Sequence, residues 1–357
     1  MRGFTKPAIK FLKKIENDLA IVFGHDCDSI ASASIVYKLA KRLELEPKLI
    51  ISYHNFEIDE KTEEKLKNFK NIVVVDIGDT PEERINKLSL SRNLLIIDHH
   101  FPKNYKCTYV NPRMHNKNIY MPTSYVSWLI YKEFFDDREI IWIAALGTLG
   151  DFGAKNNKDL FLKLKEIHPE LVGNVRIDDR DLLENSLIGR VTKMVDSCRI
   201  LYGIRGSKYV TNLISTSKSY KDLLENNKVI NIYKKVEEEF RSEIKKVYKN
   251  KVEIGEFIIY EIKSMLNLKS SLASYLPNVF PDKIIFVAQK SKESYYEVSV
   301  RRGVNRKVNL SKIVEKISKS INAKGGGHPT AAGMRVEDLK ELIEFLKNKK
   351  EKGCLLS

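Results

Sequence analysis

NIVVVDIGD at residues 71–79 and LLIIDHHF at 94–101 share one form, four successive apolar residues followed at once by a carboxylate. Apolar runs without polar alternation are expected of parallel strands covered by helices on both faces. An acid at the end of such a strand stands where open parallel sheets bind their ligands. Working outward, LAIVFG at 19–24, KLIISYHN at 48–55 and CTYVNP at 107–112 read as further strands, and Ser29 to Leu43 has helical spacing. The class is therefore α/β, with a parallel sheet and helices on both faces. Downstream, SYVSWLIYKEFF reads as a helix with Thr123 or Ser124 as N-cap, and another helix is expected from Arg138 to about Leu149.

Residues 155 to about 250 are charge-rich and helical in pattern, as in YKKVEEEFRSEIKKVYKNK at 233–251, and suggest a connector or an exposed helical insertion. Strand signals return in FIIYEIKS at 257–264, KIIFVAQK at 283–290 and YYEVSVRR at 295–302. A helix pattern from Leu310 to Ile321 and a glycine cluster follow. The expected organisation is an N-terminal parallel-sheet domain over 1–190, a helical connector over 191–250 and a smaller C-terminal α/β domain over 251–350.

The formal charge of +15, from 62 Lys+Arg against 47 Asp+Glu, suits a polyanionic partner or a heat-adapted, solvated surface; composition alone leaves both open. Residues 281–324 hold 11 basic and 4 acidic side chains, which makes the second domain an expected electrostatic clamp. Tyr295 and Tyr296 fit either base stacking or strand packing. Cys27, Cys107, Cys198 and Cys354 form no CxxC pair, so the chain suggests neither a disulfide framework nor a zinc ribbon, and a reducing cytoplasm fits. Ala8, Ile9, Phe11, Leu12 and Ile15 are spaced like one helix face rather than a secretory core, and no apolar run has the length of a membrane span. A soluble protein is expected.

Chemistry-bearing residues recur at the strand ends: Asp26 and Asp28 in FGHDCDSIAS, Asp76 in VVVDIGD, Asp98, His99 and His100 in LLIIDHHF, and Asp151 in GTLGDFG. Each acid alone could cap a following helix, as Asp28 and Ser29 could here. Asp-His-His directly after four apolar residues is different. Burying a carboxylate with two imidazoles is costly unless they bind a metal or one another. Several carboxylates with one or two histidines suit Mn²⁺ rather than a thiolate-rich zinc site, and the group count fits two ions. His25 and Asp79 either support this set or face solvent.

The order Asp-x-Asp, Asp, Asp-His-His, Asp resembles the DHH phosphoesterase superfamily. GGGHPTAAG at 325–333, after the strand SVRRG, resembles the DHHA1 signature that accompanies it. The resemblance implies that Asp26, Asp28, Asp76, His99 and Asp151 ligate two Mn²⁺ ions, with Asp76 as the bridge and Mg²⁺ or Co²⁺ as substitutes. Asp98 would orient a neighbour, and His100 would face the scissile phosphate and assist the leaving oxygen. Many members place a histidine two or four residues before the first aspartate, where this chain has Gly24 and Val22; His25 is the candidate in its place. Gly325, Gly326, Gly327 and His328 would bind substrate phosphate, with one of Arg301 and Arg302 reaching it.

Within the superfamily the arrangement resembles archaeal RecJ-like exonucleases, including the Hef-associated type. That implies a single-strand-specific exonuclease, 3′ to 5′ favoured, releasing nucleoside monophosphates from DNA or RNA. A Hef-type repair or replication protein would be a partner and a homo-oligomer an option. Rival readings are a nano-RNase or 3′-phosphoadenosine phosphatase, a dinucleotide phosphodiesterase, and a non-catalytic nucleic-acid-binding scaffold. A manganese pyrophosphatase carries a different C-terminal domain.

Overall fold

Five short strands run β1 (Leu19–Phe23), β2 (Pro47–Ile51), β3 (Asn71–Val75), β4 (Asn93–Ile97) and β5 (Thr108–Val110) in a computed structural model that describes residues 3–291, 293–327 and 329–351. They form one sheet in the order β2-β1-β3-β4-β5, every pair parallel. Alternation sorts the apolar runs onto two faces. Leu19, Ile21, Phe23, Val73, Val75, Leu95 and Ile97 pack with one set of helices, while Ala20, Val22, Ile72, Val74, Leu94 and Ile96 pack with Ile58, Leu66, Ile85 and Leu88 on the other. Each such side chain contributes about 1.5–3 kcal/mol by leaving water. All five expected strands are present, and the α/β reading holds.

The chain enters at β1 and continues to β2 on one side and β3 on the other. The gap between the carboxyl ends of β1 and β3 is thus the point at which strand order reverses, where such sheets bind ligands. The helix Cys27–Arg42 lies against the helices Thr123–Tyr131 and Ile141–Gly150. The approach is close at Gly147, where a Cβ would lie 2.5 Å from Ala31 Cβ and 2.6 Å from Ser124 Oγ. Only glycine allows this packing, and it carries Asp151, the residue that ends the helix, toward the strand ends.

Several local expectations are corrected. Pro122, not Thr123 or Ser124, precedes the first residue of the helix Thr123–Tyr131, and the second expected helix begins at Ile141 rather than Arg138. Asp26, rather than Asp28 or Ser29, caps the helix Cys27–Arg42, accepting the Ser29 N–H. Residues 191–233 are not a free connector. Val191, Met194, Val195, Cys198, Val210, Ile214 and Leu223 are fully buried in the main core, and the chain divides into compact units of Met1–Tyr233 and Lys234–Ser357.

The second unit holds a six-stranded mixed sheet in the order β10-β11-β9-β8-β7-β6, made of β6 (Val252–Ile254), β7 (Phe257–Ile262), β8 (Ile284–Lys290), β9 (Tyr296–Arg302), β10 (Ala323–Gly327) and β11 (Ala331–Val336). Among the described residues of this sheet, only β7 and β8 pair in parallel. The helix Leu310–Ser320 buries Leu310, Ile313, Val314 and Ile317 against it. Tyr296 packs on this core, and Tyr295 lies under the Arg335 guanidinium, 4.9 Å from ring centre to Cζ. The glycine cluster, expected to approach a phosphate, lies in a strand: Gly325 and Gly326 pair with Met334 and Gly333. No described helix is long and apolar enough to cross a membrane.

Candidate metal centre

The ends of β1, β3 and β4 and the end of the helix Ile141–Gly150 bring Asp28, Asp76, His99, His100 and Asp151 together. Two overlapping groups have ligand atoms within 4.8 Å of one another: Asp76, His99 and His100, and Asp28, His99 and Asp151. His99 is common to both. Its Nε2 lies 3.5 Å from Asp76 Oδ1 and 3.5 Å from Asp151 Oδ2.

Each carboxylate is fixed by a donor. Asp76, in the left-handed backbone region at φ 60°, accepts Ser29 Oγ–H at 2.7 Å and Thr123 Oγ1–H at 2.8 Å, one on each oxygen. Asp28 accepts the backbone N–H groups of Thr123 at 2.6 Å and Ser124 at 2.9 Å, so it stands at the positive end of that helix. Tyr120 O–H donates to Asp151 Oδ2 at 2.6 Å. Asp26 accepts Ser29 N–H at 3.0 Å and the Asn55 amide at 2.9 Å; it belongs to neither group. His25 is also in neither, because its Nε2 is bonded to the Ser52 carbonyl. Asp79 is exposed.

The electrostatics favour a cation. Burial and then the charge of Asp26 push Asp28 up to about 6. Burial and then the charge of Asp28 push Asp76 and Asp151 well above the ordinary carboxylate range. Among the described residues the buried His99 Nδ1 has no hydrogen-bond partner, and burial followed by the charge of His100 pushes this imidazole down to about 3. A neutral imidazole with an orphaned nitrogen, among carboxylates that raise one another, is a donor set that fits divalent metal.

Asp98 lies outside that set and faces His100, with Oδ1 at 2.8 Å from Nδ1. Burial would lower His100, but the hydrogen bond and charge of Asp98 outweigh it and raise the ring to about 9. Gly78 makes room for this pair: a Cβ there would lie 2.5 Å from His100 Cβ and 2.8 Å from Asp98 Oδ2.

In the second unit, Gly326 has open space where a Cβ would stand, and Gly327, at φ 145°, has a conformation that glycine adopts freely. Arg301 and Arg302 are anchored to backbone carbonyls, of Val300 at 3.0 Å and Val308 at 2.9 Å respectively. His328 lies outside the described residues. Ser29, Asn55, Gly78, Tyr120 and Thr123 escaped sequence reasoning as supporting groups. Ser29 and Gly78 sit inside the quoted acidic motifs; nothing local marks Asn55, Tyr120 or Thr123 as a donor to these carboxylates, a role that depends on long-range folding.

Residues 19–148 match the model of the DHH family, N-terminal domain, and residues 265–352 that of the DHHA1 domain. The chain belongs to the DHH phosphoesterase superfamily. This DHH protein has the fold of RecJ from Thermus thermophilus in complex with Mn²⁺, with TM-score 0.72 at 14% identity, over 99% of this chain and 55% of that one. It therefore spans about half of that RecJ. Exonuclease RecJ bound to manganese has TM-score 0.68 at 14% identity, covering 99% and 94% of the two chains. CDC45 from Entamoeba histolytica has TM-score 0.59 at 8% identity, covering 98% of each. No curated protein matches the DHH protein in sequence.

Proposed function

We propose that this chain is a metal-dependent phosphodiesterase that removes nucleoside monophosphates from an end of single-stranded DNA or RNA, 3′ to 5′ being the favoured direction. The observation that carries this reading is two overlapping carboxylate–imidazole groups joined at His99, one of which includes a second imidazole, His100, bonded through Nδ1 to Asp98. Asp28, Asp76, His99 and Asp151, with Asp26 at the rim, would hold two Mn²⁺ ions, or Mg²⁺ or Co²⁺ in their place. Bound ions of this kind offset phosphoryl charge and lower the pKa of water.

The remaining work falls to the chain's own groups. His100 carries its proton toward substrate, with Nδ1 held by Asp98 and Nε2 left to donate to the leaving oxygen, a task for general acid catalysis. Its side chain keeps 28% exposure against 8% for His99, so substrate reaches the second histidine and not the first. Tyr120, Ser29 and Thr123 hold the carboxylates in place without contacting the phosphate. In the second unit, the exposed Gly326, with Gly325, Gly327 and His328, would meet a phosphate, with Arg301 or Arg302 supplying charge. The surplus of 15 positive charges supports a long polyanionic substrate over a dinucleotide.

The test is hydrolysis of 3′- and 5′-labelled single-stranded DNA and RNA with Mn²⁺, alongside a dinucleotide and an Asp98→Ala, His99→Ala double variant. Mononucleotide release from long strands, lost in the variant, is expected. Activity confined to the dinucleotide would replace the exonuclease reading with a dinucleotide phosphodiesterase. Binding without hydrolysis would replace it with a scaffold.

A further inference from the structure

Arg113 follows β5 in the short helix Pro112–Met114. Its Cζ lies 4.8 Å from the Phe101 ring centre and 5.8 Å from that of Tyr120. Its Nε donates to the Ile119 carbonyl at 3.2 Å. Although the neighbouring centre is rich in carboxylates, none among the described residues forms an ion pair with Arg113. An arginine packed over aromatic rings keeps its terminal donors for an external oxyanion, and its planar fork suits phosphate.

Two routes tie this guanidinium to the metal centre. The Asn111 side chain accepts the Arg113 backbone N–H at 2.9 Å and donates to the His100 carbonyl at 2.9 Å. Tyr120, under the guanidinium, donates to Asp151 and lies edge-on to His99, with ring centres 5.6 Å apart. The position of Arg113 is therefore set relative to His99, His100 and Asp151, yet among the described residues it forms no ion pair with Asp151. Phe101, beside it, is 60% exposed.

We propose that Arg113 is a substrate-binding residue that takes the internucleotide phosphate next to the scissile one. The proposal rests on the phosphodiesterase reading and adds to it a contact that a substrate with a single phosphodiester lacks. It gives the first unit its own means of distinguishing a strand from a dinucleotide.

The experiment compares a thymidine decamer with one carrying neutral methylphosphonates at the second linkage from each end. Kd is measured by fluorescence anisotropy and KM by hydrolysis, for the wild type, Arg113→Gln and Arg113→Lys. In the wild type the methylphosphonates are expected to raise Kd and KM about tenfold, the scale of one charge-assisted hydrogen bond. Arg113→Gln should bind both decamers equally weakly, and Arg113→Lys should regain part of the difference because it keeps the charge. A wild type indifferent to the methylphosphonates, or an Arg113→Gln variant that keeps full sensitivity, overturns the proposal. A purely structural arginine would give the latter result, with no rescue by lysine. If the wild type binds but hydrolyses neither decamer, the phosphodiesterase reading fails, while the Kd comparison still judges Arg113.

Discussion

Asp98 and His100 are two residues apart in the chain and 2.8 Å apart through Oδ1 and Nδ1, with the carboxylate fully buried and the imidazole partly open. Each holds the other's charge. Burial alone would raise Asp98, but the hydrogen bond and charge of His100, with the charge and backbone N–H of His99, together keep it below its ordinary range. Asp98→Asn should therefore leave Mn²⁺ binding nearly intact while lowering kcat by about 100-fold or more, the range expected when a general acid loses its partner. Titration calorimetry for the metal, beside steady-state kinetics, checks both halves; an unchanged kcat would remove His100 from its proposed role.

Gly78 stands behind this pair. In Gly78→Ala the new methyl would meet His100 Cβ at 2.5 Å, so the ring must move. We expect stability to fall by about 1–3 kcal/mol, as for other overpacked sites, and activity to fall more than tenfold through misplacement of His100. Denaturant melts and kinetics on the same preparation measure the two effects. Full activity would mean that the ring position is immaterial.

The pH dependence of stability follows from the carboxylate cluster. Asp76 and Asp151 are raised by burial and then by Asp28, and His100 is raised to about 9. A raised group contributes stability that is fully present below its unfolded pKa and lost as pH rises through its folded one. Asp98, held low, and His99, pushed down to about 3, contribute no slope above about pH 6.5. Metal-free protein should thus lose thermal stability between about pH 6.5 and 8.5. Mn²⁺ should flatten or reverse that trend, because metal affinity grows as protons leave. Melting curves with EDTA and with Mn²⁺ give the answer; a metal-free Tm that rises across the window would refute it.

Neighbouring glycines in β10 should behave differently. A Cβ at Gly325 would lie 2.6 Å from Met334 Cβ, whereas one at Gly326 would meet nothing within 4 Å. Gly325→Ala should lower Tm, and Gly326→Ala should leave Tm unchanged but raise KM if this strand receives phosphate. Equal effects of the two substitutions on Tm would contradict this account.

Much of the first unit was legible because its signals are local. Ile72–Val75 and Leu94–Ile97 are apolar at every position, a pattern that burial on both faces demands, and the acids that follow mark the strand ends. The capping roles were not legible. Asp28 satisfies the N–H groups of Thr123 and Ser124, which lie 95 and 96 residues away in sequence, so a cap expected from Thr123 or Ser124 themselves comes from another strand end. The charged helices after residue 155 read as a solvated connector because each turn of Leu187–Tyr202 mixes basic groups with the buried Val191, Met194 and Cys198. The strand at the glycine cluster was not legible because strand pairing without side chains leaves no apolar alternation.

The residues gathered around His99 come from chain positions running from Asp28 to Asp151, and each of the three carboxylates takes a donor from the stretch Tyr120–Ser124. A growing polypeptide therefore completes this centre in stages: Asp76, His99 and His100 are present once the chain has passed residue 100, the shared donors that anchor the acids wait for Tyr120–Ser124, and the second group waits for Asp151. Two ions would thus find their full set of ligands only once the chain through Asp151 is available.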